Sequence, residues 1–337
     1  MMSFKLPPNL KNDKNEVRKI GYEFEFSGIE LENVAKIIIR LFDGTHKEVN
    51  RFNHIVEQTR LGDFKIEMDA ALLKDATYLS ALRKVGISME NHSFQESLED
   101  LLEDVASVLI PCEIAAPPVP ITEMDSIEQL RGALQQEHIE GTRTSFVNAF
   151  GLHINIEIPE QNVSTILNYL RAFFLLYDWI FKESEIDFSR RIPPFINEFP
   201  AEYIVKVLDS QYDPDLKTLV QDYFDFNPTR NRALDMFPIF ASMDKRIFNS
   251  VINDDKTSPR PAFHYRLPNC LIDEANWRIA REWNLWAEVE FLANKHHQIK
   301  KLSEKYLEMW NTTIINFKNK WYQILKNWKQ SGGVIDR

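Results

Sequence analysis

Five short segments that alternate apolar and polar residues constrain the fold of this chain most strongly. In "KIGYEFEF", Tyr22, Phe24 and Phe26 alternate with Glu23 and Glu25. Residues two apart in a β-strand point to the same face of the sheet. The segment therefore predicts a strand with one apolar face, which belongs in a core, and one acidic face, which needs water or a cation.

Four later segments repeat this alternation: "DFKIEMDA", "LIPCEIAAPPVP", "FGLHINIEIPE" and "AFHYRL". Their polar positions include Glu67, Asp69, Glu113, His153, Asn155, His264 and Arg266. If the five strands share one sheet, these side chains collect on one face together with the two glutamates of the first strand.

Several carboxylates on one face repel each other unless a cation lies between them. Two carboxylates about 6.5 Å apart repel by roughly 2.5 kcal/mol at an effective dielectric constant near 20. Oxygen ligands with an occasional imidazole suit Mg²⁺ or Mn²⁺ better than zinc. The pattern predicts a divalent metal site, and a polar face that simply meets solvent is the alternative.

Apolar residues at helical spacing predict helices between and after these strands, in "ENVAKIIIRLF", in "FQESLEDLLEDVASVL" and in a helix capped by Ser164. The predicted fold class is α+β: a mainly antiparallel sheet with helices packed on its apolar face. Residues 1–15 are predicted to be a mobile N-terminal tail. Residues 16–337 are predicted to form one domain, of which 274–330 is a helical C-terminal extension; the resemblance described below implies that this domain is catalytic.

Composition excludes several classes of function. The formal net charge is −10 and no long basic block occurs, so a nucleic acid partner is not expected. No segment has the length of a signal peptide or a membrane span, so we expect a cytoplasmic protein without a membrane partner. The glycine-rich, HExxH and GxSxG motifs of P-loop, dinucleotide-binding, zinc-protease and serine-hydrolase sites are absent.

The segments "GYEFEF", "GDFKIEMDAALL", "IPCEIAAPP", "GTRTSFVNAFGLHINIEIPE", "NPTRNRALDMFP" and "FHYRLPNCLIDEANW" resemble a known family. This is the amidoligase family of carboxylate–amine ligases, which share the fold of glutamine synthetase and glutamate–cysteine ligase. The segments cover most of residues 17–293 in the family's order. The resemblance implies a curved antiparallel sheet whose acidic face binds Mg²⁺, or Mn²⁺, and ATP.

The resemblance also implies roles for individual acidic residues and for one histidine. Glu23 and Glu25 match the paired metal-binding glutamates, and Glu113 matches the acid before the proline-rich turn. His153 matches the strand histidine of the metal site. Glu67 and Asp69 match an acidic segment, and the choice of ligand between them stays open.

Other positions match the parts that handle phosphate. Arg266 matches the arginine that contacts phosphate, and we assign it and His264 catalytic roles. His264 stands where related ligases usually have a glutamate, which implies weaker metal binding or lost activity. Further candidates for binding ATP or a substrate carboxylate are Arg143, Arg230, Arg232 and Asn155, although the arginines could equally be surface residues on loops.

The implied reaction forms a peptide-type or isopeptide-type amide. The γ-phosphoryl group of ATP is transferred to a carboxylate, and an amine attacks the resulting acyl phosphate. The partners are then small-molecule or peptide carboxylates and amines. Two other functions stay open: a metal-dependent hydrolase using the same face, and a non-catalytic relative that binds a nucleotide or a peptide. A homo-oligomer formed through the tryptophan-bearing C-terminal helices also stays open.

Overall fold

The structure is a computed structural model, and its description covers most of the chain. The described residues are 2–68, 111–137, 139–144, 150–188, 190, 196–252, 254, 257–313 and 315–332. The helix expected in "FQESLEDLLEDVASVL" and the candidate ligand Asp69 lie outside these residues.

Eight strands form one open antiparallel sheet. They are β1 (Lys19–Phe26), β2 (Thr45–Asn50), β3 (Asn53–Thr59), β4 (Gly62–Met68), β5 (Cys112–Pro120), β6 (Leu152–Glu157), β7 (Leu234–Asp235) and β8 (Ala262–Tyr265). Their order across the sheet is β2-β3-β4-β5-β1-β6-β8-β7. The five segments identified from the sequence become β1, β4, β5, β6 and β8, which are consecutive in the sheet as β4-β5-β1-β6-β8.

The described residues also form ten α-helices. They are α1 (Leu31–Phe42), α2 (Asp125–Leu134), α3 (Val163–Glu183), α4 (Ala201–Leu208), α5 (Leu216–Phe226), α6 (Phe237–Met243), α7 (Lys245–Val251), α8 (Ile279–Ala293), α9 (His296–Thr312) and α10 (Phe317–Gln330). The α+β class and the helical C-terminal region predicted from the sequence are confirmed. Helix α3 begins earlier than expected, because the Asn162 side chain rather than Ser164 caps it by accepting a hydrogen bond from the Thr165 N–H.

The apolar face of the sheet lies under helices α1, α3 and α8. Tyr22, Phe24 and Phe26 of β1 are fully buried. The ring of Phe42, at the end of α1, stacks on Phe64 of β4 with a centroid distance of 5.5 Å. Tyr265 of β8 packs on Trp286 of α8. The helices therefore cover one side of the sheet, as the apolar alternation predicts, and leave the polar side chains on the other.

A buried ion-pair network joins the start of β1 to two of these helices. The Arg18 guanidinium donates two hydrogen bonds to the Glu290 carboxylate, and neither side chain has solvent exposure. Tyr169 of α3 and Trp286 of α8 donate to the same carboxylate at 2.5 Å and 3.1 Å. Buried charges need this degree of pairing, so the network fixes α3 and α8 against the sheet.

The N-terminal residues, for which we expected a mobile tail, are hydrogen-bonded to α8. The Lys5 N–H donates to Asn284 Oδ1, and the Trp283 indole donates to the Lys5 carbonyl. The Asn284 amide donates to the Ser3 carbonyl. The division of the chain into one catalytic domain with a helical extension remains a prediction. No helix of the described part is both long and apolar enough to cross a membrane.

Candidate metal centre and active site

Three carboxylates form a row across the polar face of the sheet. Glu25 of β1 lies directly opposite Glu113 of β5, and Glu67 of β4 lies opposite Glu113 from the other side. Residues opposite each other on antiparallel strands have Cβ atoms about 4.5–5.5 Å apart. The alternation read from the sequence thus brings these three acidic residues together, with Glu67 at the exposed end of the row.

A second group of polar residues lies beside this row on β1, β6, β8 and β7. Glu23 lies opposite His153, Asn155 lies opposite His264, and His264 lies opposite Asp235. Asn155 is 9% exposed, His264 is 3% exposed and Asp235 is fully buried. Polar groups removed from water to this degree need partners, and the partners are provided mainly within the group.

Glu23 is at the centre of these contacts. Its Oε1 accepts hydrogen bonds from Asn155 Nδ2 at 2.8 Å and from Arg260 Nη1 at 3.3 Å. Its Oε2 lies 3.1 Å from His153 Nδ1 and 4.0 Å from His264 Nε2. Burial by itself would raise the pKa of this carboxyl, but the neighbouring histidines and Arg260 hold it well below its ordinary value. Glu23 is therefore a carboxylate at neutral pH.

His264 is a neutral imidazole with one nitrogen bonded and the other without a partner. Its Nδ1 lies 2.8 Å from Asn155 Oδ1, whereas its Nε2 is buried and has no hydrogen-bond partner in the described structure. Burial lowers the pKa of His264 well below its ordinary value; Glu23 opposes this effect and Arg266 adds to it. One donor atom each from Glu23, His153 and His264 lie within 4.8 Å of one another, a spacing that could hold a metal ion.

His153 lies between the two glutamates of β1. Its Nε2 is 3.5 Å from Glu25 Oε1, and the other oxygen of Glu25 accepts a hydrogen bond from the Gly151 N–H at 2.6 Å. A Cβ atom at Gly151 would lie 2.8 Å from His153 Nε2 and 2.5 Å from Arg190 Nη2. Only glycine at this position lets the backbone approach Glu25 and the imidazole so closely.

Arginines surround the group on the side of β8. Arg260 contacts Glu23 and also lies 3.3 Å from His264 Nδ1. The backbone N–H of Arg266 bonds the Ala233 carbonyl, while its side-chain Nε is buried without a hydrogen-bond partner in the described structure. Arg266 is close enough to His264 to affect its pKa. Arg260 therefore stands beside both Glu23 and His264, and Arg266 stands near His264.

The four residues proposed from the sequence to bind ATP or a substrate carboxylate have different surroundings. Asn155 lies at the centre of the group. Arg230 Nε is 3.2 Å from Asp235 Oδ2, next to His264 in the sheet. Burial raises the pKa of Asp235, and Arg230 and Arg266 oppose this effect. Arg230 and Asp235 thus extend the polar group toward the edge of the sheet.

Arg232 and Arg143 are bound to other protein groups. Arg232 donates to the carbonyl of Glu198 and to that of Phe226. Arg143 forms ion pairs with Glu274 at 3.0 Å and with Glu185 at 3.3 Å. The structure does not bring either arginine into contact with Glu23, His153 or His264.

Arg260, Arg190 and Asp235 are part of this region and did not emerge from the sequence pattern. Arg190 donates to the carbonyls of Arg266, Leu267 and Pro268, and burial lowers its pKa to about 10 although Glu25 opposes this. It holds the chain just after β8. Arg260 precedes β8 in "SPRPAF", where proximity to a strand end is the only signal that the sequence offers.

A family model described as "Putative amidoligase enzyme" matches residues 16–288. The chain belongs to this family. The match contains every residue of the polar group, and it confirms the resemblance drawn from the sequence segments. No curated protein and no solved structure matches the chain. Membership of the amidoligase family places the chain among ligase-type enzymes that form amide bonds.

Proposed function

We propose that this amidoligase is an ATP-dependent carboxylate–amine ligase that works on the polar face of its sheet. The observation that carries the proposal is the placement of Glu23, His153 and His264 beside a row of carboxylates and beside Arg260 and Arg266. A site for phosphoryl transfer needs ligands for a divalent cation and positive side chains for the transferred group. The polar face of the sheet and the loop before β8 carry candidates for both roles.

The donor set fits a divalent cation. His264 Nε2 is a buried nitrogen without a hydrogen-bond partner, and it faces an ionised carboxylate. Glu25, Glu113 and Glu67 supply oxygen ligands of the kind that Mg²⁺ prefers. We assign the row of carboxylates to the Mg²⁺ that accompanies ATP. The cation, when bound, offsets the negative charge of the phosphate oxygens.

The chain's own residues then orient the reactants. Arg266 and Arg260 bind the phosphoryl group and hold it next to the substrate carboxylate. The carboxylate oxygen forms a bond to the γ-phosphorus as the bond to ADP breaks, which yields an acyl phosphate. The amine nitrogen then bonds to the carbonyl carbon, phosphate leaves, and the nitrogen loses a proton. Positioning of this kind supplies most of the catalysis in phosphoryl transfer.

Product analysis with Mg-ATP and pools of carboxylates and amines tests the proposal. We expect ADP and phosphate when an acceptable acid and an acceptable amine are both present. With acid alone, hydroxylamine should trap the acyl phosphate as a hydroxamate. Release of AMP would mean adenylation, and amide hydrolysis without ATP would favour the metal-dependent hydrolase. If the protein neither binds a nucleotide nor turns over any substrate, the non-catalytic relative is the remaining function.

A matched pair of variants locates the site. Glu25→Gln should weaken Mg²⁺-dependent ATP binding, because it removes one carboxylate of the row. Glu57→Gln is the control, since Glu57 lies on β3 and pairs with Lys47 instead. Equal ATP affinity in the parent and in Glu25→Gln would contradict the assignment of this row to the nucleotide-bound cation.

A further inference from the structure

The donor atoms around Glu23 are chemically different from the row of carboxylates beside them. We propose that Glu23, His153 and His264 form a separate site for a divalent transition-metal ion, of the Zn²⁺ and Co²⁺ type, which binds such ions in preference to Mg²⁺. The inference deepens the proposed function, since it concerns the same face of the sheet, but it rests on three donor atoms and not on the ligase reaction.

The hydrogen bonds of Asn155 fix which nitrogen of His264 can bind a metal. Asn155 Nδ2 donates to Glu23 Oε1 at 2.8 Å, and this contact orients the amide because a carboxylate can only accept. Asn155 Oδ1 then faces His264 Nδ1, also at 2.8 Å. This contact is shorter than the 3.3 Å between Nδ1 and Arg260 Nη2, so Nδ1 carries the hydrogen and donates it to Asn155. The lone pair is on Nε2, the buried atom without a partner that lies 4.0 Å from Glu23 Oε2.

His153 lies between the carboxylates of Glu23 and Glu25. The Gly151 N–H holds one oxygen of Glu25, and the other oxygen lies 3.5 Å from His153 Nε2. Without a metal, Nδ1 donates its hydrogen to Glu23 Oε2 at 3.1 Å. A metal ion on Nδ1 would replace this contact and leave the hydrogen on Nε2, which faces Glu25. Metal-binding histidines generally present one nitrogen to the ion and donate from the other to such an acceptor.

The three candidate donor atoms are Glu23 Oε2, His153 Nδ1 and His264 Nε2, and one donor atom of each residue lies within 4.8 Å of the others. Two ligands bound to one ion at about 2.1 Å lie roughly 3.0–3.4 Å from each other. The separations of 3.1 Å and 4.0 Å from Glu23 Oε2 need only small side-chain rotations to meet this. Two imidazoles and one carboxylate form the ligand set of many catalytic zinc sites, in which further positions stay open.

The ligand types of the site favour a transition metal further. Arg260 already offsets the charge of Glu23, the one carboxylate among the three donors. Binding of Mg²⁺ depends on several oxygen ligands and on their negative charge, whereas two of these three donors are imidazole nitrogens. Zn²⁺ and Co²⁺ bind imidazole nitrogen well. Selectivity thus follows from ligand type and not from net charge.

Titration of metal-free protein with Co²⁺, without nucleotide, tests the inference. We expect one equivalent to bind with the visible absorption of a nitrogen-ligated Co²⁺ site. Zn²⁺ at an equimolar concentration should displace it, whereas about a 100-fold excess of Mg²⁺ should not. Displacement by Mg²⁺ at a comparable concentration, or absence of Co²⁺ binding, would overturn the inference. This result requires no variant protein.

Variants then assign the ligands. His264→Gln and His153→Gln should each weaken Co²⁺ binding by at least about 10-fold, with circular dichroism confirming that they are folded. His264→Glu should raise the affinity for Mg²⁺ relative to Co²⁺, because it replaces a nitrogen ligand with a carboxylate. His46→Gln is the control, since His46 pairs with His54 on the β2–β3 hairpin and could bind Co²⁺ there.

The outcomes separate this inference from the ligase proposal. Unchanged Co²⁺ binding in both folded His→Gln variants, or its loss in His46→Gln, would refute the site at Glu23. Co²⁺ bound through His264 together with no ADP release would support the metal site and contradict the ligase. ADP release with Mg-ATP but no Co²⁺ binding would support the ligase and contradict the metal site.

Discussion

Replacement of Asn155 by alanine tests the geometry of the metal centre without removing a proposed metal ligand. The side chain is 9% exposed and makes two hydrogen bonds, one to the Glu23 carboxylate and one to His264. A hydrogen bond to a charged group contributes about 1.5–3 kcal/mol and a neutral one about 0.5–1.5 kcal/mol. We expect Asn155→Ala to lower the free energy of unfolding by about 2–4 kcal/mol.

The same change should weaken Co²⁺ binding by about 10-fold to 100-fold, the usual effect of losing a group that orients a metal ligand. Urea unfolding of the metal-free protein measures the first effect, and calorimetric titration measures the second. Asn227→Ala is the matched control. Asn227 is fully buried just after α5, and its side-chain amide donates a hydrogen bond to the Tyr223 carbonyl in that helix and not to a group of the metal centre. It should reduce stability and leave Co²⁺ affinity unchanged.

Two results would refute the reasoning. If Asn155→Ala bound Co²⁺ as the parent does, the amide would not fix the tautomer of His264. If Asn227→Ala lost affinity to the same extent, the affinity would report general stability and not the orientation of His264.

Three further changes test other parts of the structure. Burial raises the pKa of the Glu282 carboxyl from its ordinary 4.5 to about 7. The folded state therefore holds this proton more tightly than the unfolded state does, and the free energy of unfolding falls as pH rises from about 4.5 through 7. Glu282→Gln should remove this fall, on the order of 3 kcal/mol, when denaturant unfolding at pH 5 is compared with unfolding at pH 8. Glu290→Gln leaves the buried Arg18 guanidinium poorly paired and should cost about 3 kcal/mol in the same assay at a single pH, and an unchanged midpoint would contradict the role of the ion pair. Gly151→Ala places a Cβ 2.8 Å from His153 Nε2 and should weaken Co²⁺ binding in a protein that still folds, as calorimetry and circular dichroism would show.

The sheet was predictable because its two faces differ so clearly in the sequence. A period of two in "KIGYEFEF" and "LHINIE" predicts both the strands and the face that each side chain takes. Strand order is a different matter, because the alternation carries no information on which strands are neighbours. The pairing of Glu25 with Glu113, and of Glu23 with His153, is visible only in the register.

The partners of Glu23 were only partly predictable for the same reason. His153, Asn155 and His264 lie in alternating segments and were expected on the polar face. Arg260 lies outside any strand and reaches Glu23 from the loop before β8. A loop residue has no periodicity, so its direction depends on tertiary contacts such as the bond from its N–H to the Pro238 carbonyl.

The electrostatic argument for a metal changes once these contacts are known. From the sequence alone, the repulsion between clustered carboxylates predicts an external cation. In the structure Arg260 pairs with Glu23, and the Gly151 N–H binds Glu25, so the protein supplies part of the compensation itself. Acidity alone therefore does not demand a metal here. The stronger argument is the lone pair of His264 Nε2, a buried polar atom without a protein partner in the described structure, which a metal ion would satisfy.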